Sequence, residues 1–121
     1  MKNLLIYKDL YYKLFFIFYF LIGLFIYKDY SITPDEPLHR ISGFISLQYI
    51  INLLQINLNL SSFVESIPLL SEDWRKTYGV IFDLPAALIE VLFKIEDLKN
   101  VFQFRHFMNF LIFFISTIFF F

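Results

Sequence analysis

The stretch LFFIFYFLIGLFIY, residues 14–27, carries no charge and decides the class of the fold. Its length alone falls short, because a helix rising about 1.5 Å per residue needs roughly 20 residues to cross a bilayer core. Leu10, Tyr11 and Tyr12 extend the segment to 10–27 if the Lys13 ammonium reaches back toward the headgroups. The extended segment spans about 27 Å, close to the requirement. Tyr11, Tyr12 and Tyr27 fall at its ends, where interfacial aromatic rings are favoured. Lys2, Lys8 and Lys13 outweigh Asp9 before it, a bias that keeps the N-terminus cytoplasmic and sends the residues after Lys28 outward. A cleaved signal peptide is the rival reading. Tyr27-Lys28-Asp29 offers no small-residue cleavage site, which favours a retained membrane helix.

Composition agrees. Of the 121 residues, 59% are hydrophobic and 22% aromatic, more apolar surface than a soluble domain of this length hides. An all-α membrane protein is expected, with one domain at most. The absence of Cys excludes disulfides, thiolate metal sites and Cys nucleophiles. Basic residues do not gather on a face, so no nucleic-acid partner is expected, and the glycine patterns of dinucleotide and P-loop sites are missing.

The far end repeats the apolar theme. Residues 106–121 read as the start of a second transmembrane helix. The uncharged part, 107–121, reaches only about 22 Å, so that helix is expected to be incomplete, the chain being the N-terminal fragment of a polytopic protein. A tail anchor or a re-entrant end is the alternative.

Between these segments, 28–105 forms an outer loop expected to hold two amphipathic helices, about 34–60 and 80–97. In the first, Gln48, Asn52, Gln55 and Asn59 form a polar stripe, opposite Leu47, Ile50, Ile51, Leu54 and Leu58. Such a helix lies on the membrane surface or on a partner helix. In the second, Asp83, Glu90, Lys94 and Asp97 share a face, with Glu90 and Lys94 at i, i+4. Pro85 must occupy the first turn, so the regular part begins near Asp83. Residues 71–79, SEDWRKTYG, read as a loop, with Trp74 and Tyr78 suited to the interface.

The loop opens on TPDEPLHR, residues 33–40, which supports two readings. Thr33 and Glu36 have the spacing of a capping box, Pro34 suits the first helical position, and Asp35 and Glu36 complement the helix dipole. Asp35–His39 and Glu36–Arg40 are then i, i+4 pairs. The functional reading uses the same helix start: Asp35 is presented as a general base for an acceptor hydroxyl. His39, one turn on, would orient that carboxylate or join it on a divalent metal, although two ligands alone do not make a metal site. Arg105, before the second apolar segment, suits a phosphate; simple interfacial snorkelling is its other reading.

PDEPLHR (34–40), YGVIFDLP (78–85) and FRHFMNFL (104–111), in this order and topological placement, resemble the N-terminal part of the GT-C superfamily. The likeness is greatest to the polyprenyl-phosphate-sugar-dependent glycosyltransferases of the family 39, protein O-mannosyltransferase and aminoarabinose-transferase branch. It spans nearly the whole chain but only the first part of a family with many more spans. The resemblance implies Asp35 as catalytic base, and a sugar moved with inversion from a polyprenyl-phosphate donor to a hydroxyl of a sugar, lipid or protein acceptor. Glu36, His39, Arg40 and Arg105 would help bind substrates, with Arg105 near the leaving phosphate. No cofactor is assigned with certainty, a divalent metal being the one candidate. A bacterial inner or plasma membrane is the implied location. The later spans are missing from the chain as written, which by itself is expected to be inactive. The competing expectation is a small non-enzymatic membrane protein or subunit in which TPDEPLHR only caps a helix.

Overall fold

A computed structural model of the chain describes residues 2–58, 60, 62–63, 67–77 and 80–121. The described residues form four α-helices and two short 3-10 turns, with no strand. The helices are α1 (Lys2–Ile26), α2 (Glu36–Leu53), α3 (Asp83–Phe93) and α4 (Leu98–Phe120). The chain divides into two compact units. One comprises Met1–Ser31 with Gln103–Phe121, the other Ile32–Phe102.

In the first unit, α1 and α4 run antiparallel and meet through aromatic side chains. Tyr12 and Phe16 pack on Phe121, Phe16, Tyr19 and Phe20 on Phe114, and Tyr27 on Phe107. Positions 12, 16, 19 or 20, 23 and 27 are spaced by three or four residues, so they form one stripe along α1. At Gly23 the Phe110 ring lies directly against the helix backbone, in the volume a Cβ would fill.

Both helices are long and apolar enough to cross a membrane: Leu10–Asp29, 20 residues with mean hydropathy 1.8, and Leu98–Phe120, 23 residues with mean hydropathy 1.3. The second corrects the expected start at residue 106. The Asp97 carboxylate accepts the Asn100 backbone N–H at 3.1 Å, an N-cap bond that starts α4 at Leu98. The helix is therefore about 34 Å long, its first turns adding Lys99 and Arg105 to the uncharged run 107–121. Ser116 and Thr117 donate their hydroxyls to the carbonyls of Ile112 and Phe113, so these polar groups are satisfied within α4.

The second unit is built on α2 and α3. Phe44, Leu47 and Ile51 of α2 and Ala87 and Val91 of α3 form its buried apolar cluster. Leu47 and Ile51 of the apolar face of α2 thus pack in the helix contact, while Leu54 of the same face is exposed. Close approach depends on small residues: Ser42, Gly43 and Ser46 on α2, Ala86 and Ala87 on α3, are all buried. At Gly43 the Asp83 carbonyl occupies the volume a Cβ would need.

The helix expected over 34–60 ends at Leu53. Gln55 turns into the left-handed region, φ 55°, and the Ile56 N–H donates to the Ile51 carbonyl at 3.0 Å. This reversal returns Leu58 and Leu60 to the core, a gain that outweighs continuing the helix. The helix expected over 80–97 runs Asp83–Phe93, starting where Pro85 allows. It ends the same way: Lys94 has φ 51°, and Ile95 N–H donates to the Glu90 carbonyl at 3.0 Å. Lys94 is thus a helix stop, and Asp97 caps the next helix instead of extending the polar face of this one. The expected loop at 71–79 contains a 3-10 turn, Trp74–Thr77. Asn59, Tyr78 and Gly79, which the sequence placed in the polar stripe and the interfacial loop, lie outside the described residues.

Candidate active site

The start of α2 is tied locally before it is tied to α3. The Glu36 carboxylate accepts the Thr33 backbone N–H at 3.2 Å, the bond expected of the Thr33–Glu36 spacing, made here across the turn that precedes the helix. The Thr33 hydroxyl donates to the same carboxylate oxygen at 3.1 Å. Regular helix begins at Glu36, not at Pro34, and Pro37 is the proline in the first turn. Its ring blocks no hydrogen bond there, because first-turn N–H groups have no helical partner. Asp35 is the N-cap residue by position, yet its carboxylate makes no capping hydrogen bond and is exposed. Glu36 therefore fixes the turn while Asp35 is left open to solvent.

The two i, i+4 pairs expected within α2 give way to pairs with α3. The His39 ring meets Asp83 instead of Asp35, with Nδ1 3.2 Å from Oδ2. The side chains are 55% and 8% exposed respectively, so the pair sits at the rim of the α2–α3 contact. Arg40 meets Glu90 instead of Glu36: Nε–H donates to Oε2 at 2.8 Å, with Glu90 fully buried. The Arg40 guanidinium also lies 5.2 Å from the centre of the Phe44 ring, a cation–π distance. Phe44 stacks in turn on Phe63, whose carbonyl is 3.5 Å from Nη2, the limit of a hydrogen bond. Such fixation positions Arg40 more than it offers it to a ligand.

Arg105, the remaining sequence-predicted site residue, belongs to the other unit. It is 4% exposed and lies within α4, two turns past its start. Burial at that depth differs from an interfacial side chain reaching for water. Next to it, His106 packs edge-on against Tyr30, ring centres 5.8 Å apart.

The sequence places Asp83 and Glu90 with Lys94 and Asp97 on one polar face of an amphipathic helix. Their actual place was legible in one detail: they are seven residues apart, two helical turns, on the face shared with Ala86 and Ala87. Small residues beside acids mark a buried contact face whose acids need hydrogen-bonding partners, and His39 and Arg40 are those partners.

A cavity of about 310 Å³ lies against α2, lined by Ser42, Ser46, Tyr49, Asp73, Lys76 and apolar side chains that include Leu84 of α3. Ser42 and Ser46 donate their hydroxyls to the Leu38 and Ser42 carbonyls, which leaves their oxygens as acceptors toward it. Among the described residues, no group of three or more His, Cys, Asp or Glu is placed to hold a metal ion. Comparison with protein-family models, curated proteins and solved structures finds no match for the chain.

Proposed function

We propose that this chain is part of an integral-membrane glycosyltransferase that uses a polyprenyl-phosphate sugar, with Asp35 as its general base. In this reading α1 and α4 cross the bilayer and the second unit lies on the extracytoplasmic side of a bacterial inner or plasma membrane. The observation that carries it is the division of labour at 33–36. Glu36 holds the helix start, so the neighbouring carboxylate of Asp35 has no structural bond to make and stays exposed.

An acceptor hydroxyl gives its proton to Asp35 while its oxygen bonds to the anomeric carbon. The bond from that carbon to the lipid phosphate breaks, and the phosphate leaves with the electron pair, inverting the centre, as in single-displacement glycoside chemistry. His39 and Arg40 shape the acceptor side from the positions α3 gives them.

Paired substitutions in the product of the complete open reading frame test this division. Asp35→Asn should abolish sugar transfer and leave the amount of folded protein unchanged. Glu36→Gln should lower stability first. A fully active Asp35→Asn protein would remove the catalytic role.

The Arg40–Glu90 pair favours a second reading, because it commits a TPDEPLHR residue to the fold. In it the chain is a small non-enzymatic membrane protein or subunit and the motif only starts α2. Asp35→Asn would then change nothing beyond a helix-terminus effect well under about 1 kcal/mol.

A further inference from the structure

His39 and Asp83 face each other across the α2–α3 contact. We infer that they form a carboxylate–imidazole dyad in which His39 is the proton carrier beside Asp35 and Asp83 is its positioning residue. The Asp83 carboxylate is acceptor-only when ionised, so the ring nitrogen 3.2 Å from Oδ2 must carry the hydrogen. Asp83 is nearly buried in the first turn of α3, where the helix dipole favours a negative charge. Nδ1–H is thereby fixed, and Nε2 holds the ring's lone pair on a side chain that is 55% exposed. A free neutral imidazole prefers the opposite tautomer, with hydrogen on Nε2.

The dyad is next to Asp35 by helical geometry. The His39 backbone N–H donates to the Asp35 carbonyl at 3.0 Å, so the two residues are one turn apart on the same face. Side chains at this spacing have Cβ atoms about 5–6 Å apart, within reach of proton transfer directly or through one water. The step rests on the transferase reading above. Asp35 receives the acceptor's proton as the new C–O bond forms and the anomeric carbon–phosphate oxygen bond breaks. That proton passes to His39 Nε2, giving an imidazolium paired with the Asp83 carboxylate, and leaves to water. Asp35 is then a carboxylate again.

The test is ring-¹⁵N NMR of histidine-labelled protein in detergent micelles, in mildly alkaline buffer. His39→Gln assigns the His39 signals by their loss. The dyad predicts that His39 is protonated at Nδ1 and bare at Nε2, that Asp83→Ala reverses this, and that Asp83→Glu preserves it. A wild-type His39 protonated at Nε2, or an unchanged tautomer in Asp83→Ala, overturns the dyad. If Asp83→Ala fails to fold, the wild-type spectrum decides alone. In a transfer assay His39→Gln should slow turnover by roughly tenfold or more, and unchanged turnover would remove the proton-carrier role. The tautomer does not depend on the reaction. The expected tautomer without any sugar transfer would defeat the transferase reading and leave the pair standing, whereas transfer with the wrong tautomer would do the reverse.

Discussion

Arg40 of α2 donates its Nε–H to Glu90 of α3 at 2.8 Å, and Glu90 has no exposed surface. A buried charge costs little only while its partner is present. Arg40→Met should therefore destabilise the second unit by about 3 kcal/mol or more, and Glu90→Leu by a similar amount. The double variant should recover most of that loss, because an apolar pair of similar volume needs no desolvation offset. Thermal unfolding of all four proteins in one detergent checks this. Additive losses would show that the two side chains do not act as a pair.

Gly43 and Gly23 should respond differently to alanine. Alanine usually stabilises a helix interior by up to about 1 kcal/mol relative to glycine. At Gly43 the obstacle is the Asp83 backbone carbonyl, which cannot move without shifting α3. Gly43→Ala should cost about 1–3 kcal/mol. At Gly23 the obstacle is the far edge of the Phe110 ring, which can turn aside, so Gly23→Ala should cost less. Equal melting temperatures for the two variants would contradict these contacts.

Gln55 and Lys94 occupy left-handed positions, φ 55° and 51°, that glycine adopts without steric cost. Gln55→Gly and Lys94→Gly should each raise stability by about 1 kcal/mol. Destabilisation in both would mean that the helices do not end where described.

The Asp97 cap makes the opposite prediction for α4. Losing the bond to the Asn100 N–H in Asp97→Ala should cost about 1 kcal/mol, and Asp97→Ser should restore most of it. Circular dichroism of the unfolding transition reads both effects.

These caps explain which parts of the fold the sequence conveyed. The uncharged run after Lys13 announced one long apolar helix and the Phe-rich end a second, read as shorter than α4, because lipid-scale hydropathy is a property of composition. Pro85 announced the start of α3, because its ring fits only the first turn. The helix ends were hidden: the usual glycine signal is absent at Gln55 and Lys94, and the return of Leu58 and Leu60 to the core is a tertiary effect. The Thr33–Glu36 bond was legible as a local spacing. The partners of His39 and Arg40 were not, since Asp83 and Glu90 lie 44 and 50 residues further along the chain. Local i, i+4 pairs were the nearer expectation. Long-range pairing prevailed because the α2–α3 contact buries Asp83 and Glu90, and a buried acid needs a hydrogen-bonding partner more than a surface acid does.

The most direct test of the central claim is release of polyprenyl phosphate from a polyprenyl-phosphate sugar, in membranes containing the complete gene product or its Asp35→Asn form. A missing general base predicts a fall of about 10²–10⁴-fold at equal amounts of folded protein. Equal release by the two proteins, or none above background from the unsubstituted one, would contradict the assignment of Asp35.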